Sequence, residues 1–186
     1  MLAGACGGKS RAGEGERREP AASTRAILDQ AREAERARRY DQARELYLRA
    51  ARQAPDRASE AIAWRELGSA LIFWGELEEA SRALGRVVAL QPRAVSAWHD
   101  LGIVRARLGD AAGGERAFRR AIALAPEEPR PRVALAALMV RQHRWDDALG
   151  EYRALQRLDL PAPIRRAVER AIELLEVERR RRGAPR

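Results

Sequence analysis

Apolar side chains recur at helical spacing along most of this chain, and no stretch alternates in the way a half-buried strand would. Leu67, Leu71 and Trp74 fall on one stripe, and Ile164, Val168, Ala171, Ile172 and Leu175 on another. The stripes are short and are interrupted at Tyr40-Asp41, Pro55-Asp56, Gly75, Pro92, Gly109-Asp110, Pro126 and Pro161 with Pro163. Proline lacks an N–H and biases its predecessor away from the helical region, so Pro55, Pro92 and Pro126 end helices. Gly75 and Gly109 fall where a positive-φ cap is wanted. Between these breaks the pattern predicts helices over about Ser23–Arg38, from after Tyr40-Asp41 to Gln53, from Asp56 to Trp74, and over Leu77–Leu90, Val95–Leu108, Ala112–Leu124, Pro129–Gln142, Trp145–Leu158 and Ile164–Arg180. Ser23 or Thr24 is the expected N-cap of the first helix, and Asp56 that of the third.

The pattern also repeats. A step of 34 residues back from Trp98, Leu101, Gly102, Gly109 and Pro126 lands on Trp64, Leu67, Gly68, Gly75 and Pro92. The same step takes Phe118 to Leu84 and Ala121 to Val87, and forward it takes Leu101 to Leu135, Gly102 to Ala136 and Phe118 to Tyr152. An earlier unit ends at Pro55, with Ala43, Tyr47 and Ala50 at matching offsets, and three extra residues join it to the next. Each unit reads as two short amphipathic helices, A and B. Gly68, Gly102 and Ala136 are small where helix A must approach helix B, and Ala43, Ala80, Gly114 and Ala148 are the small partners on helix B.

The run Trp98, Leu101, Gly102, then Phe118, Ala121 and Pro126 resembles the tetratricopeptide repeat, whose units are 34 residues long. That resemblance implies an all-α fold, a right-handed superhelical solenoid of antiparallel helix pairs in about four repeats, at 24–57, 61–94, 95–128 and 129–162. Residues 1–22 would precede it as a disordered tail or tether, and the repeat region would run over 23–162. A C-terminal capping helix at 163–180 would cover the last repeat, and 181–186 would form a basic tail. The end units depart from the pattern: Arg132 and Ile27 stand at the tryptophan place, Gln30 at the leucine place, and Arg105 where tyrosine is preferred.

Composition adds a bias rather than a class. The 186 residues carry a net charge of +9, and Lys9 is the only lysine, so the excess is arginine. The run Arg179–Arg182 reads either as an anionic-surface patch or as a solvated helix end whose cations suit the macrodipole. No run of 18 or more apolar residues is present to span a membrane. A single cysteine, Cys6, excludes an internal disulfide and a cysteine-based zinc site. Leu2-Ala3-Gly4-Ala5-Cys6 resembles the lipobox of bacterial lipoproteins, which makes Cys6 a candidate lipidation site, but the apolar h-region that should precede it is missing. Two readings stand: a longer precursor that anchors the protein in the bacterial envelope, or a chance match in an Ala/Gly-rich tail. As written, the chain is expected to be cytoplasmic, with any membrane contact made only through Cys6.

Nothing in the sequence points to catalysis, a metal or a cofactor. His99 and His143 lie in different repeats, and the four tryptophans read as architecture. What remains is a binding surface. The resemblance implies that the A helices line a concave groove with ligand contacts at set offsets. Those offsets fall on Arg25, Leu28, Arg32 and Arg36 in the first repeat, and on Ile62, Arg65, Ser69, Ile72 and Phe73 in the second. In the third they fall on Ser96, His99, Ile103 and Arg107, and in the fourth on Arg130, Val133, Ala137, Val140 and Arg141. Arginines can clamp carboxylates bidentately, and Ile72, Phe73 and Ile103 offer apolar anchors. The expected function is therefore a non-enzymatic scaffold or adaptor for another protein, holding a segment with acidic and apolar residues. The specialised chaperone-type carboxylate clamp of the family is not expected, since its places hold Leu28, Glu66 and Asp100. The alternatives are an envelope lipoprotein that scaffolds a membrane complex and an RNA-binding helical-repeat protein, the latter disfavoured by the scarcity of aromatic stacking platforms.

Overall fold

The computed structural model describes residues 22–183, and all of the regular structure among them is helical. The helices are α1 (Ala22–Arg36), α2 (Tyr40–Arg52), α3 (Arg57–Trp74), α4 (Leu77–Leu90), α5 (Val95–Arg107), α6 (Ala111–Leu124), α7 (Pro129–Arg141), α8 (Trp145–Gln156) and α9 (Ala162–Gly183). The A and B helices of each unit pack together as α1·α2, α3·α4, α5·α6 and α7·α8, and each B helix packs on the next A helix in turn, ending with α8 on α9. The main contacts therefore run between sequence neighbours, with α1 on α3 and α5 on α7 touching more lightly, as in a solenoid of helix pairs.

Most boundaries fall where proline, glycine and capping chemistry put them. Asp56 caps α3 by accepting the Ser59 N–H at 2.8 Å, and Asp110 caps α6 by accepting the Gly113 N–H at 2.8 Å. Two expectations are corrected. Helix α1 already includes Ser23 and Thr24, so neither is its N-cap, and Thr24 is fully buried in the first turn. Tyr40 opens α2 rather than forming the turn, because its ring packs on Trp74, with centroids 5.2 Å apart. The turn between A and B helices is the same at all four units. Gly75 and Gly109 take it at φ 87° and 85°, whereas the end units place Arg38 and His143 there at φ 57° and 60°. A side chain in the left-handed region costs roughly 1–2 kcal/mol, so the two end turns are the less relaxed pair.

The interior is built of small and medium aliphatics around a few rings. Tyr47 and Phe118 are the largest side chains that are fully buried. Close approach of helix A to helix B is visible at Gly102, where an added Cβ would lie 2.5 Å from the Phe118 ring, and more loosely at Gly68, where it would lie 3.2 Å from Leu84. Trp64, Trp74, Trp98 and Trp145 are partly buried and pack on the core as half-covered plates. At the tryptophan place of the fourth unit, Arg132 instead bonds Glu151 of α8 at 2.7 Å. Ion pairs also tie neighbouring units together, with Arg44 of α2 on Glu76 and Glu79 and Arg144 on Glu115 of α6. Helix α9 lays Val168, Ile172 and Leu175 against a cluster that contains Leu149, Leu155 and Leu160. Cys6 and its surroundings lie outside the described residues, as do residues 184–186 of the expected basic tail.

Candidate functional site

Four of the groove residues expected from sequence meet in one place. Arg32 and Arg36 of α1 and Ser69 and Phe73 of α3 line a recess of about 590 Å³, joined by Glu35, Arg38, Tyr40, Tyr47, Glu66 and Ala70. The recess lies between the A helices of the first two units, and its floor is made by the B-helix residue Tyr47, whose ring is 1% exposed. Phe73 stands at its edge with 78% of its surface open, the most exposed large apolar side chain among the described residues.

The charges in the recess divide into engaged and open ones. Arg32 is clamped by Glu66 from the next unit, through Nη2 at 3.0 Å and Nε at 3.2 Å, and by Asp29 at 2.8 Å. The Tyr47 hydroxyl donates to Glu35 at 2.9 Å. Burial, and then that hydrogen bond, push the Tyr47 phenol well above its ordinary value. Both acids of the recess thus already have partners. Arg36 and Arg38 project at its rim, exposed, with no ion pair among the described residues. The local balance facing outward is cationic beside an open phenyl ring.

Along the rest of the A-helix face the expected residues divide further. Leu28 is fully buried and Ile62 is 9% exposed. Both belong to the core cluster, so neither offers side-chain surface to a partner, and their expected contact role is corrected. At the places equivalent to Ile62, the polar residues Arg25, Ser96 and Arg130 stay exposed, whereas at those equivalent to Leu28, Arg65, His99 and Val133 are partly covered. Arg25, Ser69, Ser96, Arg107, Ala137 and Arg141 are exposed, while Arg65, Ile72, Ile103, Val133 and Val140 are half-buried. His99 is mostly covered, with Nδ1 3.2 Å from Asp100 and its ring against Phe118 at 6.0 Å. Arg130 is held by Glu128 at 2.8 Å. That hydrogen bond, against the opposing effect of burial, lowers the Glu128 carboxyl below its usual range. Arg36, Arg65, Arg107 and Arg141 have no ion pair or hydrogen bond among the described residues.

Glu66, named from sequence only as a departure from the carboxylate clamp and not among the groove residues, lines the recess and pairs with Arg32. The repeat step from Arg32 is 37 residues, to Ser69, because three extra residues join the first two units; Glu66 stands three residues before that place on the adjacent A helix, so the repeat period gives no signal for it. Among the described residues no group of three or more His, Cys, Asp or Glu could hold a metal ion, and no helix is long and apolar enough to cross a membrane.

A family model described as tetratricopeptide repeat matches residues 28–72 and 75–129. No curated protein matches the sequence. Solved structures share the fold. One is MamA, at 19% identity and a TM-score of 0.69, covering 82% of this chain and 80% of that one. Another is YrrB, described as a TPR protein with an unusual peptide-binding site, at 16% identity and a TM-score of 0.64, covering 84% and 78%. A third is the Yersinia enterocolitica type III secretion chaperone SycD in complex with a peptide of the translocator YopD, at 16% identity and a TM-score of 0.58, covering 62% and 92%.

Proposed function

Because the chain belongs to the tetratricopeptide repeat family, we propose that it is a non-enzymatic adaptor that holds a segment of another protein across its A-helix face. The observation that carries this reading is the recess between α1 and α3, where Phe73 is open to solvent beside Arg36 and Arg38 while both recess acids are engaged internally. An isolated exposed phenylalanine is ordinary. One set at the mouth of a concave, cation-rimmed recess is the arrangement expected of an anchor for an apolar side chain flanked by carboxylates. YrrB and SycD, whose described structures have a peptide site or a bound peptide, share the fold and support the reading.

The test is capture of partners on the immobilised protein, with Phe73→Ala combined with Arg65→Glu as the variant. Both side chains are outside the fully buried core, so the helical circular dichroism should be unchanged. Loss of the captured partner by about tenfold or more, the equivalent of about 1.4 kcal/mol, is the expected result. Undiminished capture would remove the groove reading. Binding of nucleic acid, with affinity falling steeply as salt is raised, would favour the RNA-binding alternative instead.

A further inference from the structure

The final turn of each A helix presents one residue in the same place, and these four form a row: Arg36, Phe73, Arg107 and Arg141. All four are exposed, and none of the three arginines has an ion pair or hydrogen bond among the described residues. Arg36 and Phe73 line one recess together, so adjacent members of the row face the same space. The row one turn deeper is different in kind. It holds Arg32, Ser69, Ile103 and Ala137, and its one cation is already neutralised by Glu66 and Asp29.

Helix dipoles favour cations in a last turn, and that alone could account for an arginine here. It does not account for the open phenyl ring at Phe73. The acids that line the recess cannot answer these charges either, because Glu66 holds Arg32 and Glu35 accepts from Tyr47. No described residue pairs with any of the three arginines of the row, which leaves their charge open to a partner.

We infer that this last-turn row sets the register of the bound segment, which lies extended across the A helices and places one apolar side chain on Phe73, a carboxylate on Arg36 to one side, and carboxylates on Arg107 and Arg141 to the other. The inference rests on the reading of this face as the docking surface. The A helices α1 and α3 touch directly, as do α5 and α7; packed helices lie roughly 8–10 Å apart, and an extended chain advances about 3.3 Å per residue. One repeat therefore corresponds to about three residues of ligand. The segment this row fits reads acid, then an apolar residue about three positions on, then two further acids at the same interval.

A fluorescent peptide of about ten residues with glutamates and one leucine at these intervals, serine and glycine elsewhere, supplies the probe. Its reversed sequence is included, since the row does not fix chain direction. The control is the same composition with the acids adjacent. By fluorescence anisotropy at fixed salt, one orientation of the spaced peptide should bind about tenfold more tightly than the control. Phe73→Ala and Arg107→Glu should each reduce that affinity severalfold, and a lysine in place of the peptide's acid opposite position 107 should restore binding to Arg107→Glu. Equal binding of spaced and adjacent-acid peptides overturns the register and leaves the groove reading standing. Failure of every peptide to bind, while the Phe73→Ala/Arg65→Glu protein still loses its captured partner, likewise overturns the register alone. Displacement of the spaced peptide by a single-stranded oligouridylate that binds more tightly overturns a protein segment as the occupant.

Discussion

At Gly102 and Gly68 the same residue type does the same job under different pressure. An alanine Cβ at Gly102 would sit 2.5 Å from Phe118, a fully buried ring, whereas at Gly68 it would meet Leu84 at 3.2 Å. Replacing glycine by alanine inside a helix gains about 1 kcal/mol in propensity, and overpacking a filled core costs about 1–3 kcal/mol. Gly102→Ala, with the tighter contact, should therefore destabilise by up to about 2 kcal/mol, while Gly68→Ala should lie close to wild type. Urea unfolding midpoints of the pair measure the difference, and equal midpoints would contradict the packing described here. Tyr47 gives a second prediction at this scale. Its phenol is raised by burial and by Glu35. In the unfolded chain a tyrosine ionises near pH 10, while in the folded protein Tyr47 stays protonated. Its contribution is thus complete below about pH 10 and is lost as pH rises from there through the folded value. Tyr47→Phe should lower stability at neutral pH by about 0.5–1.5 kcal/mol and flatten the alkaline decline. A decline of unchanged slope would assign it to other groups.

Among the helices, α6 carries a conflict that its sequence alone presents as a defect. Gly113 and Gly114 weaken the start of a helix by propensity, by up to about 1 kcal/mol each. The structure gives each a reason. A Cβ on Gly113 would fall 1.9 Å from Oδ2 of Asp110, the side chain that caps the helix, and one on Gly114 would fall 3.0 Å from the Gly102 carbonyl oxygen. Cap and glycine are thus one device. Asp110→Ala should cost about 1 kcal/mol. Gly113→Ala should be close to neutral in the wild-type protein, because evicting the carboxylate offsets the propensity gain, yet stabilise the helix by about 1 kcal/mol once Asp110 is already alanine. A double-mutant cycle by thermal unfolding reads this directly, and additive effects would show that Gly113 serves something other than the cap. Apart from the starts of α1 and α2, the element ends were largely legible. The span of α4 follows from its flanking Gly75 and Gln91-Pro92, and α3 follows from Asp56, because capping and proline act through the nearest few residues. The start of α1 was not, since Ser23 and Thr24 are good caps by type but lie inside the helix.

Across the whole molecule, contacts between sequence neighbours make stability a chain of local interfaces. Helix α9 closes the last of them, with Val168 2% exposed against the α8 side of the stack. An aspartate there would bury an unpaired charge. Val168→Asp should speed amide hydrogen exchange in α8 and α9 while α3 to α6 keep their protection. A uniform loss of protection in all helices would mean that the stack unfolds as one unit.

The fold itself was determined by the sequence, since a repeating stripe, proline stops and glycine turns act locally and recur in register from Trp64 to Trp98. The faces on which Arg36, Phe73, Arg107 and Arg141 stand follow from that same period. Only the tertiary structure decided which of the offered residues remain on the surface. Leu28 and Ile62 hold groove offsets but sink into the seams, because burial depends on what the neighbouring helix supplies. Arg32 has the right place and charge, yet Glu66 from the next repeat already answers it. Which charges stay open for a partner is a property of adjacent repeats taken together, and it is settled only when they stack.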